Sequence, residues 1–294
     1  MNRETASATE LDAAALKAWP LPGIADDADK EDRGRILVVA GSREIPGAAL
    51  LAATAALRAG AGKLVIATAA SVASAMALSM PEARVVGLPE TPDGGFDVRG
   101  VAQLESIAAD CACVVIGPGM MDEDAGSAFV AALLPSLTHC TVVLDALAMS
   151  AAQRVKRFDQ PVLLTPHAGE MAHLTGRSKQ EISADPQGTA LEAARRWNAV
   201  VALKGATSVI ATPDGRLWVH RGGEAGLATS GSGDTLAGMI GGLAARGASP
   251  EQACAWGIML HAGAGARLAS RGPLGFLARE LPAEVPAVLS QLGE

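Results

Sequence analysis

Short apolar runs alternate with longer alanine-rich or amphipathic stretches along most of the chain. Apolar runs bounded by turn residues are typical of strands that are buried on both faces, and the longer stretches are typical of connecting helices. The predicted strands are 35–40, 63–68, 84–88, 113–116, 141–144, 161–164 and 200–203. The predicted helices are 48–59, 71–80, 100–109, 124–134, 186–197, 233–246, 251–270 and 281–292. This order predicts an α/β fold built on a mostly parallel sheet.

The beginning of the chain has a different pattern. Segment 9–19 predicts a short helix with Thr9 as its N-cap, which Pro20 ends. Composition does not change sharply anywhere along the sequence. We therefore predict a single domain over residues 1–294, in which residues 1–32 form an N-terminal extension.

An antiparallel hairpin is predicted late in the chain. Segments 208–212 and 216–220 alternate apolar and polar residues and flank Pro213-Asp214-Gly215, a sequence typical of a tight turn. Antiparallel pairing therefore follows the parallel units, at an edge of the sheet.

Composition narrows the class of protein. A chain of 294 residues that is 49% hydrophobic can bury a large core. A formal net charge of -7 argues against nucleic-acid binding, which needs a basic face. No basic-then-apolar leader begins the chain and no apolar run reaches the ~20 residues of a membrane span, so neither export nor membrane insertion is expected. The four cysteines lack paired spacing, which favours reduced thiols in a cytoplasmic protein.

Segment 228–238 carries the strongest candidate chemistry. Small residues lead directly into an apolar helix there, so the N–H groups of Gly231, Ser232 and Gly233 can converge on an anion at the helix N-terminus. Asp234 follows as a group that can accept a proton. The alternative is a flexible turn in which Asp234 only caps the helix. The local sequence leaves both interpretations open.

Other loops follow predicted strands, where open α/β sheets bind ligands. Gly117-Pro118-Gly119 allows backbone to approach a ligand closely. Segment 165–170 contributes a hydroxyl, an imidazole and a carboxylate, or else forms a Thr-Pro turn with a solvated histidine. Asp145 also ends a strand, and there we favour a helix cap over a site residue. His261 is predicted to be a packed, hydrogen-bonded histidine within a helix.

The order of these motifs resembles the ADP- or ATP-dependent NAD(P)H-hydrate dehydratases, a branch of the ribokinase-like superfamily. The strings that carry the resemblance are 35–42 with Gly47-Ala48-Ala49, Gly117-Pro118-Gly119, 165–170, Leu203-Lys204-Gly205 and 226–238. The resemblance implies a three-layer α/β/α sandwich with a mostly parallel central sheet and an antiparallel edge hairpin. It also implies a lyase that uses ADP or ATP, with Mg²⁺, to remove water from the 6S hydrate of NADH or NADPH.

The resemblance also implies roles for particular residues. Those implied to contact the hydrate are Ala49, Gly117, Gly119, His167 and Asp234. Those implied to contact the nucleotide are Lys204, Gly205, Ala206, Thr207, Ser208 and Gly233. Asp234 is the expected base, the N–H groups of 231–233 stabilise the moving phosphoryl, and Glu170 is expected to contact Mg²⁺ through water. A separate epimerase and a homo-oligomer, for example a tetramer, are expected as partners.

This sequence departs from the family pattern at several positions. Asp29-Lys30-Glu31 stands where a His-Lys-Gly string is usual, which leaves that loop without an implied ligand role. Met120-Met121 replaces Leu-Gly after the glycine loop. Leu147 replaces the second carboxylate of the string that follows Asp145, and Ser232 replaces threonine but keeps the hydroxyl.

Three other functions compete with this interpretation. A vitamin-precursor kinase of the same superfamily, acting on hydroxymethylpyrimidine, hydroxyethylthiazole or pyridoxal, would share the loop that holds Asp234. His167 after Thr165-Pro166 favours the dehydratase, because those kinases typically have asparagine there. A regulatory protein that binds a nucleotide without catalysis is a second alternative, and the intact loop speaks against it. Segment 41–47 lacks the three-glycine spacing of a dinucleotide-binding dehydrogenase.

Overall fold

A ten-stranded sheet forms the centre of the molecule in the computed structural model, which describes residues 8–25, 27 and 29–294. The strands are β1 (Thr9–Glu10), β2 (Arg35–Val39), β3 (Lys63–Ala69), β4 (Ala83–Leu88), β5 (Cys113–Ile116), β6 (Thr141–Leu144), β7 (Val162–Leu164), β8 (Val200–Leu203), β9 (Thr207–Ala211) and β10 (Leu217–Arg221). Their spatial order is β1-β10-β9-β8-β7-β6-β5-β2-β3-β4. Strands β2 to β8 pair in parallel, whereas β9 is antiparallel to both β8 and β10.

Helices cover both faces of the sheet. They are α1 (Ala13–Lys17), α2 (Gly47–Arg58), α3 (Ala73–Ser79), α4 (Val101–Ala108), α5 (Glu123–Leu133), α6 (Ala151–Val155), α7 (Ala168–Thr175), α8 (Lys179–Ala184), α9 (Pro186–Trp197), α10 (Ser232–Ala245), α11 (Pro250–Ala269) and α12 (Leu281–Leu292). Among the described helices, none combines the length and the hydropathy that crossing a bilayer requires.

Alternate residues of the central strands bury into two separate hydrophobic clusters. Ile36 and Val38 of β2 pack with α1 to α3 and α10 to α12, whereas Leu37 and Val39 pack with α4 to α9. Successive side chains of a strand point to opposite faces, so a strand that is apolar at every position needs a helical layer on each side. The structure is therefore a three-layer α/β/α sandwich, as predicted.

The prediction for the N-terminal segment was wrong in its first residues. Thr9 and Glu10 form β1, which pairs in parallel with Trp218 and Val219 of β10. The helix begins later, at Ala13, and its N-cap is Asp12, whose carboxylate accepts a hydrogen bond of 2.7 Å from the Ala15 N–H. Pairing of Thr9 and Glu10 with the open edge of β10 outweighs the preference of Thr9 for a helix N-cap position. Residues 1–7 of the predicted extension lie outside the described residues.

The predicted hairpin is confirmed as β9 and β10. Leu217 pairs with Ala211 and Arg221 pairs with Thr207, so the loop is centred on Pro213-Asp214-Gly215. The short helices α6 and α8 were not predicted, since neither is long enough to show a clear helical period.

Glycines on α10 let this helix lie directly on α2. A Cβ atom added at Gly238 would overlap the carbonyl of Ala52, and one added at Gly242 would overlap the carbonyl of Ala56. Backbone cannot yield as a flexible side chain does. This close contact explains glycines that would otherwise only weaken a helix.

We expect Gly238→Ala to lower the free energy of unfolding by about 3 kcal/mol, because α2 and α10 must separate to admit the methyl group. Urea denaturation would measure the loss. Gly47→Ala is the matched control, because a Cβ at Gly47 meets no atom within 4 Å and the change favours helix formation. Equal stability of the two variants would contradict the close-packing account.

Candidate active site

The N-terminus of α10 forms the predicted anion-binding turn. Gly231 is the N-cap with a φ of 86°, a left-handed conformation that glycine adopts without strain. The Ser232 N–H donates to the Thr229 carbonyl at 3.3 Å. No side chain among the described residues caps the helix, so the N–H groups of Gly233 and Asp234 have no side-chain partner, and such groups at a helix N-terminus can hold an anion. The helix begins at Ser232, one residue earlier than predicted.

Asp234 lies in this first turn without acting as a cap. Burial raises the pKa of Asp234 to about 6, and the nearby negative charges of Asp145 and Glu170 add to the effect, against the opposing charge of Lys204. A carboxylate with a pKa close to neutrality is a stronger base than an exposed one and is still ionised at pH 7. Asp234 is therefore suited to accept a proton.

The activity is expected to rise with pH through about 6 and to level off above it, because Asp234 accepts a proton only when it is ionised. A profile of kcat/KM against pH would measure the midpoint. Asp145→Asn removes one of the negative charges that raise the pKa of Asp234, so its midpoint should lie at lower pH. A wild-type profile that is flat between about pH 5 and pH 8 would contradict the assignment of Asp234 as the base.

Lys204 is the cation of the site. Its Nζ lies 3.0 Å from Asp145 Oδ1 and 3.8 Å from Glu170 Oε2. Burial lowers the pKa of Lys204, but the charges of Asp145, Glu170 and Asp234 outweigh it and raise the pKa above its ordinary value. The side chain is therefore charged and can attract the phosphates of a nucleotide. The backbone N–H of Lys204 donates to the Pro166 carbonyl at 2.7 Å, which ties the loop after β8 to the loop after β7.

Asp145 is a site residue that the sequence analysis took for a helix cap. It occupies the cap position before a short turn of helix, but its side chain makes no capping hydrogen bond. Instead Oδ1 accepts a hydrogen bond of 2.5 Å from the Thr165 hydroxyl and one of 3.0 Å from Lys204 Nζ. The residue is only 3% exposed. The signal in the sequence was a carboxylate at the end of a buried strand, and only the fold shows that β8 brings a lysine to it.

His167 has a structural role that the sequence did not predict. It is the N-cap of α7, where Nδ1 accepts hydrogen bonds from the N–H groups of Gly169 at 2.9 Å and Glu170 at 3.1 Å. The Glu170 carboxylate accepts a hydrogen bond of 2.7 Å from the His167 N–H and completes a capping box. Because Nδ1 accepts, the ring proton of neutral His167 resides on Nε2. That N–H is a hydrogen-bond donor on a ring that is more than half exposed.

The two glycine loops and the start of α2 meet beside this cluster. The Gly41 N–H donates to the Pro118 carbonyl at 2.7 Å, and a Cβ at Gly119 would lie 2.5 Å from that of Ala48. Gly117 and Gly119 have φ angles of 125° and 66°. Ala49 is fully buried beneath these loops. The predicted hydrate residues are thus gathered at one end of the sheet, and their contact with a hydrate stays a prediction.

A cavity of about 620 Å³ lies next to the N-terminus of α10. Most of the predicted nucleotide residues line it: Lys204, Gly205, Ala206, Ser208 and Gly233. Thr207 begins β9 opposite Arg221, and its nucleotide role stays a prediction. The rest of the lining was predicted only in part: residues 227–229 belong to the string 226–238 that carries the resemblance, whereas residues 222–225, His220 and Ile258 were not predicted. Glycine-rich loops have no hydrophobic periodicity from which their position in the cavity wall could be predicted.

His261 is hydrogen-bonded, as predicted, and it also reaches this cavity. Its Nε2 lies 2.9 Å from the Ser232 hydroxyl and 3.1 Å from the Ser232 carbonyl. Burial lowers the pKa of His261 to about 4, with a smaller contribution from Lys204, so the ring is neutral at pH 7. The contact holds the first residue of α10 in place.

The described residues contain no group of three histidine, cysteine or carboxylate side chains arranged to hold a metal ion. Mg²⁺ usually takes one or two carboxylates, several waters and the phosphates of a substrate. Glu170, at the edge of the cluster, fits such a site.

Known proteins resemble this chain over most of its length. A family model described as NAD(P)H-hydrate dehydratase matches residues 36–287. The ADP-dependent (S)-NAD(P)H-hydrate dehydratase of Xanthomonas campestris pv. campestris is 54% identical over 281 residues, which cover 95% of this chain and 96% of that protein.

Solved structures show the same fold. The ADP/ATP-dependent NAD(P)H-hydrate dehydratase of Bacillus subtilis, co-crystallized with ATP/Mg²⁺, superposes with a TM-score of 0.79 at 31% identity, covering 97% of this chain and 99% of that one. A ribokinase-like superfamily protein of Enterococcus faecalis superposes with a TM-score of 0.85 at 22% identity, covering 99% and 98%, and shows likeness of fold alone. The predicted ribokinase-like architecture is confirmed. The family model spans most of the sequence and the Xanthomonas relative nearly all of it, so the chain belongs to the NAD(P)H-hydrate dehydratase family.

Proposed function

We propose that this protein repairs damaged nicotinamide cofactor by removing water from the 6S hydrate of NADH or NADPH, with ADP or ATP as the phosphoryl donor. The observation that carries the proposal is the position of Asp234. Its carboxylate, with a pKa of about 6, lies in the first turn of α10 near the charges of Asp145, Lys204 and Glu170, and the preceding residues Ser232 and Gly233 line the cavity beside α10. A proton acceptor and an anion site at one point suit phosphoryl transfer to a hydroxyl group.

The chemistry proceeds in two steps. Asp234 takes the proton of the hydrate's ring hydroxyl as the oxygen forms a bond to the terminal phosphorus, and the bond from that phosphorus to AMP, or to ADP when ATP is used, breaks. The C–O bond of the ring then breaks and the oxygen leaves as part of phosphate, while the adjacent ring carbon gives up a proton to solvent, which restores the double bond of NADH or NADPH. A hydroxide is a poor leaving group, whereas phosphate is a good one.

The remaining side chains stabilise charge during transfer. The ammonium of Lys204 and the N–H groups of 231–233 lie where negative charge moves from one phosphate to the next. Mg²⁺, when bound with the nucleotide, would neutralise the phosphate oxygens, with Glu170 holding one of its waters. Asp145 keeps Lys204 in place through the 3.0 Å hydrogen bond.

The hydrate is proposed to lie over Gly117 and Gly119, above Ala49 and within reach of His167. Glycine is needed at both loop positions because the loops pack closely: a Cβ at Gly117 would overlap the Asp145 carbonyl, and one at Gly119 would lie 2.5 Å from the Ala48 Cβ. The Nε2–H of His167 can donate to the carboxamide or to a hydroxyl of this ligand.

The setting of the protein is also a proposal. A separate epimerase would convert the 6R hydrate into the 6S form that is used here, and a homo-oligomer, for example a tetramer, is the expected assembly. Cytoplasmic location suits Cys111, Cys113, Cys140 and Cys254, which are all free and buried.

Purified protein mixed with chemically prepared NADH hydrate, Mg²⁺ and either ADP or ATP should regain the near-ultraviolet absorbance of NADH, with one phosphate released per NADH. Absence of NADH with both nucleotides would overturn the proposal. A stable phosphorylated vitamin precursor in a parallel assay would assign the protein to the kinases instead.

A further inference from the structure

Ser232 and His261 form a polar pair on the wall of the cavity beside α10, and both residues line that cavity. Ser232 is the first residue of α10, and His261 lies near the middle of α11. His261 Nε2 lies 2.9 Å from Ser232 Oγ and 3.1 Å from the Ser232 carbonyl oxygen. Asp234 is not among the described residues that line this cavity. The pair therefore faces the side of the site where the nucleotide is proposed to bind.

The Ser232 carbonyl decides which ring nitrogen of His261 carries the proton. A carbonyl oxygen can only accept hydrogen bonds, so the ring nitrogen 3.1 Å from it is an N–H donor. Burial lowers the pKa of His261 to about 4, so the ring is neutral at pH 7 and holds a single proton. That proton therefore resides on Nε2, which donates to the oxygens of Ser232.

The hydroxyl proton of Ser232 is consequently available to a ligand in the cavity. Oγ accepts from His261 Nε2 and has no other hydrogen-bond partner among the described residues. The residue is only 6% exposed, and its accessible side is the wall of the cavity. The Thr235 hydroxyl donates to the Ser232 carbonyl at 2.7 Å, so the backbone end of the pair is fixed as well.

A serine beside a histidine is also the arrangement of a nucleophile and its base, and the contacts exclude that role here. A base must accept the hydroxyl proton, whereas Nε2 of His261 already carries one and donates it to Ser232. The pair is therefore a hydrogen-bond donor held in a fixed direction.

A donor at this position complements the positive charge around it. A Cβ at Gly233 would lie 3.5 Å from Lys204 Nζ, so the lysine ammonium approaches the same turn of α10. During phosphoryl transfer, negative charge develops on the phosphate that stays with the nucleotide as its bond to the transferred group breaks. A hydroxyl that is already oriented stabilises this charge without rearrangement.

Resting on the proposed function, we propose that His261 is a positioning residue that directs the Ser232 hydroxyl onto the phosphate that remains with the nucleotide. Ser232 donates a hydrogen bond to the terminal phosphate of the departing group, which is AMP when ADP is the donor and ADP when ATP is the donor. The backbone N–H groups of Gly233 and Asp234 are then left for the transferred phosphoryl.

Binding of AMP, the departing group, tests this without turnover, and adenosine serves as the ligand that lacks the phosphate. Calorimetry would measure both affinities. We expect Ser232→Ala and His261→Leu each to weaken AMP binding about 10-fold, as for the loss of one hydrogen bond to a charged group, with adenosine binding unchanged. Ser232→Thr and His261→Gln, which keep the hydroxyl and the N–H donor, should recover most of the lost affinity. Ser79→Ala, on exposed α3, is the matched surface control.

The double variant separates positioning from a purely structural role. Because His261 acts through the hydroxyl, Ser232→Ala combined with His261→Leu should bind AMP within about 2-fold of Ser232→Ala alone. Losses that multiply in the double variant, equal losses for AMP and adenosine, or wild-type AMP binding by Ser232→Ala would overturn the inference. Melting temperatures check the fold, and Ser232→Ala, which removes a single oxygen atom, decides the contact with phosphate even if His261→Leu unfolds.

This result does not depend on the proposed reaction. A wild type that binds AMP in this way but regenerates no NADH from the hydrate would contradict the proposed function and leave the roles of Ser232 and His261 at the phosphate standing.

Discussion

Asp234→Asn is expected to lower kcat by about 10²- to 10⁴-fold while nucleotide affinity changes little. Asparagine keeps the size of the side chain at the start of α10 but cannot accept the hydroxyl proton. Steady-state kinetics with NADH hydrate and ADP would measure kcat, and calorimetry would measure the affinity for ADP.

The melting temperature of Asp234→Asn shows whether a loss of activity comes from the missing base or from unfolding. Burial raises the pKa of Asp234 above its ordinary value, so the folded state holds the proton more tightly than the unfolded chain does. At neutral pH the ionised carboxylate therefore costs stability, and this cost disappears in the variant. We expect a melting temperature at pH 7 at least as high as that of the wild type. Asp93→Asn, in an exposed turn, is the control, and wild-type turnover by Asp234→Asn would show that another group is the base.

The second large effect is expected at Asp145. Asp145→Ala removes the nearest counter-charge of the largely buried Lys204 and the acceptor of the Thr165 hydroxyl. Leaving a buried charge without its partner costs about 3 kcal/mol of unfolding free energy, and a displaced Lys204 should raise KM for ADP about 10-fold. Urea denaturation and initial rates at varied ADP would measure the two losses.

A double-mutant cycle checks that the loss at Asp145 acts through the lysine. Lys204→Met removes the charge itself, so the double variant should lose less stability than the sum of the single variants, by at least about 1 kcal/mol. Asp145→Asn, which keeps an acceptor for Thr165, should lie between the wild type and Asp145→Ala. Additive losses would mean that Asp145 and Lys204 act independently.

The parallel core of the fold could be predicted from sequence because each of its strands is a short apolar run. Runs such as Ile36 to Val39 must be buried on both faces, and the alanine-rich stretch before Arg58 can only be a connecting helix. Strand β1 could not be predicted. Its two residues, Thr9 and Glu10, carry no pattern and become a strand only because β10 leaves an open edge.

The candidate site likewise contains some residues in local motifs and others that come together only through long-range packing. The turn before α10 and the motif around His167 are local, so the sequence located them as candidates, and the roles of their residues came from the resemblance to a family. Asp145 could not be identified with confidence, because its partner Lys204 is 59 residues away in sequence and reaches it only through parallel pairing of β6, β7 and β8. The wall of the cavity beside α10 that contains His220 and Ile258 depends on the same long-range packing.

The central claim is that Asp234 directs the ring hydroxyl, and not water, onto the phosphoryl group. It is tested most directly with NADH hydrate prepared in water labelled with oxygen-18 and then turned over with ADP in ordinary water. The label remaining in unreacted hydrate serves as the reference. We predict that the phosphate released carries one labelled oxygen per molecule, because the hydroxyl oxygen leaves the ring as part of phosphate. Unlabelled phosphate, formed while the hydrate keeps its label, would contradict the account.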